Sequence, residues 1–135
     1  MRGILYVGWL LGVVAAGSLA AQTKPEWKDV IGTWQGDSTC AVQNSPCHDE
    51  HALYRVKPNK DDPDKLTLEA FKVENNRPEF IGDLTCTYAP EEKILTCPGA
   101  KRDVWTFNVG DGTMDGTLTT GKEKTVYRKV SLKKK

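Results

Sequence analysis

The sequence is poor in histidine, methionine and serine, has a net charge of only +1, and lacks long apolar runs beyond its N-terminal segment. Lysine and arginine number 19 against 18 aspartate and glutamate in 135 residues, whereas a nucleic-acid binder usually carries a basic surplus. Nucleic acid is therefore not an expected partner. No Gly-x-Ser-x-Gly, phosphate loop, His-Glu-x-x-His or dinucleotide fingerprint occurs. Acidic pairs such as Asp61-Asp62 and Glu91-Glu92 fall in turn-forming segments, and no inward carboxylate pair is available for acid–base work. The chain does not read as an enzyme, and no cofactor is implied. Internal repeats, low-complexity blocks and sustained helical periodicity are also missing, which leaves strand signals dominant.

The first 21 residues read as a targeting segment. Arg2 supplies the positive start, Ile4 to Ala16 an apolar run, and Ser18-Leu19-Ala20 a small-residue cleavage pattern. An uncleaved anchor is the alternative, but Gly8, Gly12 and Gly17 interrupt a run already short of the roughly 20 residues a span needs. The membrane is thus met only through this segment before cleavage. Residues 22–135 form the expected mature domain, secreted or periplasmic. Without Arg2 its basic residues equal its acidic ones (19 − 1 = 18 against 18). The closing Lys133-Lys134-Lys135 triplet reads as a solvated tail.

Four cysteines in an exported chain read first as two disulfides, with three possible connectivities. A tight turn around Pro90-Glu91-Glu92-Lys93 would set Tyr88 against Leu95, Thr87 against Thr96 and Cys86 against Cys97. Opposed Cβ atoms of antiparallel strands lie about 4.5–5.5 Å apart, close enough for a bridge. The favoured pairing is Cys86–Cys97 with Cys40–Cys47, the latter closing the short loop Ala41 to Pro46.

Short alternating apolar and polar runs recur between Gly, Pro, Asn and Asp turns. They predict eight strands: Thr33–Cys40, His51–Lys57, Lys65–Val73, Glu79–Tyr88, Lys93–Cys97, Val104–Val109, Thr113–Thr120 and Thr125–Leu132. Hairpin-length turns make sequence neighbours sheet neighbours. The expected fold is all-β, an eight-stranded antiparallel up-and-down barrel, because closure removes both exposed edges. Parity breaks at Ala70-Phe71, which a bulge would explain. Gly36, Ser38, Ala52, Gly82 and Gly116 are small inward positions that leave room for a cavity or for the aromatic side chains.

Gly32-Thr33-Trp34 opens the first strand after the apolar segment Trp27 to Ile31, which is placed to plug one end of a barrel. Arg128, on the last strand, is the one charged residue on the predicted inner face. Strand closure makes the first and last strands adjacent, so Arg128 is expected across the Trp34 ring, a cation–π contact worth roughly 0.5–2 kcal/mol. On these residues the chain resembles the lipocalin and fatty-acid-binding protein superfamily, with its early Gly-x-Trp and a last-strand Arg packed over that Trp. The resemblance implies a barrel that holds a ligand. It departs from the fatty-acid-binding members at Thr125, where their Arg-x-Tyr pattern has its Arg if Tyr127 matches the Tyr. Ala41 to Glu50 is also too short for their helical lid.

The leading expectation is an exported binding protein that holds a small apolar ligand without chemistry. Its ligand-binding residues would be Tyr54, Leu68, Phe80, Leu84, Trp105, Phe107, Met114 and Leu118, with Tyr54 as the polar handle. A protein partner is the alternative, as for a proteinase inhibitor acting through an arm at Gln22-Thr23-Lys24-Pro25-Glu26. A third reading is metal capture by His48 and His51 in Cys47-His48-Asp49-Glu50-His51, whose donors suit zinc or copper. At a loop-to-strand junction their spacing of three puts them on opposite faces of a strand, and an ordinary hydrogen-bonded loop explains the cluster as well.

Overall fold

A computed structural model of the chain describes residue 12 and residues 23–135. The expected cleavage segment lies outside the described residues apart from Gly12. Among the described residues, no helix is long and apolar enough to cross a membrane.

Eight strands follow a short 3-10 turn, Pro25–Trp27: β1 Gly32–Cys40, β2 Glu50–Pro58, β3 Leu66–Glu74, β4 Arg77–Ala89, β5 Ile94–Pro98, β6 Val104–Val109, β7 Thr113–Thr120 and β8 Thr125–Lys134. Each pairs antiparallel with its sequence neighbours, and β8 pairs with β1 to close the barrel. The up-and-down topology is the one the turn spacing predicts. Between β3 and β4 the turn is reduced to Asn75-Asn76, both at positive φ, with Glu74 opposite Arg77. That conformation, which asparagine tolerates, matches the twist of a two-residue hairpin.

Both disulfides have the expected connectivity, Cys40–Cys47 and Cys86–Cys97. Thr87 lies opposite Thr96 and Tyr88 opposite Leu95, as the turn requires. In the chain-entropy account each short loop closed this way contributes about 2–3 kcal/mol through the unfolded state.

The interior is filled at one end. Trp27, Val30, Trp34, Val56, Leu66, Cys86, Leu95, Cys97, Val109, Met114 and Leu132 are buried there. The segment before β1 plugs this end as anticipated, and Trp34 Nε1 donates to the Val30 carbonyl at 2.9 Å.

The cation over Trp34, however, is Lys134. Its Nζ sits 5.4 Å from the ring centroid and donates to the Lys28 carbonyl at 3.2 Å. Trp34 pairs with Lys134 and Cys40 with Arg128, so Arg128 stands six residues, about 20 Å, along the seam from Trp34. The expected Arg128–Trp34 contact is thereby corrected. Lys134 is a strand residue, not part of a solvated tail. Gly32, at φ 140°, leaves the space its side chain occupies: a Cβ there would lie 2.8 Å from Lys134 Cε.

Candidate functional site

The other end of the barrel is hollow. A cavity of about 440 Å³ is lined by Ser38, Glu50, Tyr54, Leu68, Ala70, Ile81, Gly82, Asp83, Leu84, Trp105, Phe107 and Arg128, a volume within the usual range for small-molecule sites. Strand alternation brings these residues together: Tyr54, Ala70 and Gly82 lie in one cross-strand row, and Val56, Leu68 and Leu84 in the next. Leu68 and Phe107 are almost fully buried and form the floor. Trp105 and Phe107, two positions apart on β6, stack with centroids 5.7 Å apart, and Tyr54 meets both rings edge-on. The result is a rigid aromatic wall.

Of the sequence-predicted ligand-binding residues, Tyr54, Leu68, Leu84, Trp105 and Phe107 line this cavity. Three do not. Met114 is fully buried and pairs with Val109 and Leu132 toward the filled end. Leu118 lies between Trp105 and Arg128 in the ladder but outside the cavity lining. Phe80 stands outside the barrel, where it meets Phe71 at 5.5 Å and is 55% exposed.

A bulge explains Phe80. Ala70 pairs with Gly82 and Phe71 with Phe80, so Ile81 is the unpaired extra residue. Gly82 at φ 152° supplies the backbone conformation. The parity break visible at Ala70-Phe71 was thus real, but the additional residue sits on β4. It reverses the alternation there and brings Ile81 to the cavity in place of Phe80.

A polar cluster stands beside the apolar wall. Arg128 Nη1 donates to the Ser38 carbonyl at 3.2 Å and to Ser38 Oγ at 3.0 Å. Its Nη2 donates to the His48 carbonyl at 2.9 Å and approaches Cys47 Sγ at 3.0 Å. Arg128 therefore does bridge the closing seam, at Ser38, and ties the Cys40–Cys47 loop to the cavity mouth. Glu50 Oε2 is 4.0 Å from Nη1, and the Arg128 side chain is only 11% exposed. Burial pushes the Tyr54 phenol up to about 12, against the opposing pull of Arg128; Glu50 adds to the rise and a hydrogen bond to Ser38 offsets part of it. Tyr54 is accordingly a neutral hydroxyl over the whole physiological range.

Glu50 was missed because the strand was expected to start one residue later; its alternation with Ala52 and Tyr54 was the available signal. Arg128 was recognised as inward but assigned to the wrong end.

The histidines lie apart from this cavity's lining. His51 Nδ1 is 3.3 Å from Asp37 Oδ1 and Nε2 is 2.9 Å from Gln35 Nε2, while His48 is exposed on the loop. Among the described residues no three His, Cys, Asp or Glu side chains converge on a metal position. Of the expected inhibitory arm, Gln22 lies outside the described residues, and Lys24 is held to Asp64 at 2.7 Å beside the 3-10 turn.

A depression of about 370 Å³ on the outer surface, lined by residues including Asp37, Thr39, Asp115 and Lys129, lacks the enclosing aromatic wall of the interior cavity. The interior is the candidate site.

No protein-family model matches the chain, and no curated protein matches it. The closed eight-stranded barrel is compatible with the lipocalin and fatty-acid-binding superfamily, although the Arg128–Trp34 contact on which that resemblance drew is not formed.

Proposed function

We propose that this chain is an exported, lipocalin-like binding protein that holds one small apolar molecule in the open half of its barrel, without chemistry. The supporting observation is the cavity itself: about 440 Å³, with Leu68, Ala70, Leu84, Trp105 and Phe107 as its apolar surface. Two disulfides suit an oxidising compartment. Desolvation of the ligand against this wall drives binding, at about 25 cal/mol per Å² of apolar surface before association costs are met.

The Arg128 guanidinium donates to acceptors of the protein itself, so it serves the ligand mainly by holding the mouth in shape. A ligand with one hydroxyl or carbonyl finds its polar partner in Tyr54, as a neutral phenol, or in Ser38. A cavity of about 440 Å³ has room for a molecule of two or three rings.

Trp27 and Trp34 are buried at the filled end, so among the described residues Trp105 is the tryptophan at the cavity. Titration with N-phenyl-1-naphthylamine, a neutral apolar fluorophore, should quench Trp105 and saturate at one probe per chain. Ala70→Trp, which puts an indole into the cavity between Tyr54 and Gly82, should weaken the probe at least tenfold while the chain stays folded. A linear, unsaturable response in the unaltered chain, or full binding to Ala70→Trp, would refute the reading.

A further inference from the structure

The two disulfides stand in contrasting surroundings, and one of them touches a partly buried cation. Cys86 and Cys97 are 1% and 0% exposed inside the filled end. Cys40, the last residue of β1, and Cys47, on the loop that follows, are only half-buried. Arg128 Nη2 lies 3.0 Å from Cys47 Sγ. Among the described residues the guanidinium has no carboxylate nearer than Glu50 at 4.0 Å, although its side chain is only 11% exposed. Its positive charge is therefore poorly compensated, and an anion on Cys47 would complete it. Cys40 has the opposite neighbour, because its backbone N–H donates to the Asp49 carboxylate at 2.8 Å.

We propose that Cys40–Cys47 is a thiol-exchange site for small thiols, attacked at Cys40 and opened with Cys47 as the leaving thiolate. In thiol–disulfide exchange the sulfur that leaves is the one whose thiolate is better stabilised, and a neighbouring guanidinium lowers a thiol's pKa. Attack by a small thiolate forms the bond between its sulfur and Cys40 Sγ. The electron pair of the broken S–S bond passes to Cys47 Sγ, which stays beside Arg128. The mixed disulfide at Cys40 is then resolved when the Cys47 thiolate attacks Cys40 Sγ again, expels the small thiolate and restores the bridge. The cycle consumes nothing, and it needs no ligand in the cavity.

The test is regiochemical and uses the folded chain. The protein is incubated with reduced glutathione near neutral pH, quenched with iodoacetamide and mapped by peptide mass spectrometry. The expected product carries glutathione on Cys40 and carbamidomethyl on Cys47, with Cys86–Cys97 intact. Glutathione on Cys47, equal opening of both bridges, or no opening of either would overturn the proposal. The trapped Cys47 should also be alkylated at a pH below the range near 8.5 of an ordinary thiol. Arg128→Gln should slow adduct formation roughly tenfold and move that alkylation profile upward. Far-UV circular dichroism of every sample checks that the barrel is still folded, and the result in the unaltered chain decides the matter alone.

Discussion

Tyr54 is the residue whose environment makes the sharpest demand. Its phenol is pushed up to about 12 by burial, whereas in the unfolded chain it titrates near 10. Between these values the unfolded chain releases a proton that the folded chain retains, so stability falls as pH rises through the window from about 10 to 12. The loss attributable to Tyr54 is about 2–3 kcal/mol across it. Tyr54→Phe removes the titration, and its denaturant midpoint should decline less steeply than that of the parent above pH 10. Parallel declines would mean that the phenol is not buried. Tyr54 was legible in the sequence as an inward polar handle, because simple alternation from Ala52 to Val56 places it. The role of Lys134 was not, since a lysine triplet at the end of a chain has the composition of a solvated tail. Counting the alternation of Arg128, Val130 and Leu132 two residues further would have placed Lys134 inward.

At the scale of the strand, the turns and pairings were the most legible features, because Gly, Pro and Asn mark each hairpin and apolar alternation marks each face. Bulges were the least legible: one unpaired residue, Ile81, exchanges inside for outside and removes Phe80 from the cavity. The small inward residues also divide by use. Gly82 borders the cavity. Gly116 instead yields its space to Phe107, whose ring lies 2.3 Å from where a Cβ would be, and Gly36 to the closing strand, with the Ser131 carbonyl oxygen 1.9 Å from such a Cβ. The Gly36 contact is backbone against backbone, so the seam itself would have to move. Gly36→Ala should cost about 1–3 kcal/mol and increase hydrogen exchange at β1 and β8 more than at β3 and β4. An unchanged denaturation midpoint would contradict this account of how the barrel closes.

For the whole molecule, the sequence implied a closed barrel but left open whether it was solid or hollow. The choice depends on where large side chains settle, which composition does not specify. Trp34, Met114 and Leu132 fill the plugged end, while Trp105 and Phe107 stack against each other along one wall and leave the opposite end empty. The polar groups share this asymmetry: Lys134 covers the filled end, and Arg128, Ser38 and Glu50 gather around the cavity. The most direct measurement of that division is methyl NMR during addition of N-phenyl-1-naphthylamine, whose rings shift nearby methyl signals. The methyls of Ala70, Leu68 and Leu84 should move together and saturate at one probe per chain, while those of Leu66, Leu95 and Leu132 stay in place. Shifts concentrated at the second group, or no saturable shift at the first, would contradict a barrel that is solid at one end and open to a ligand at the other.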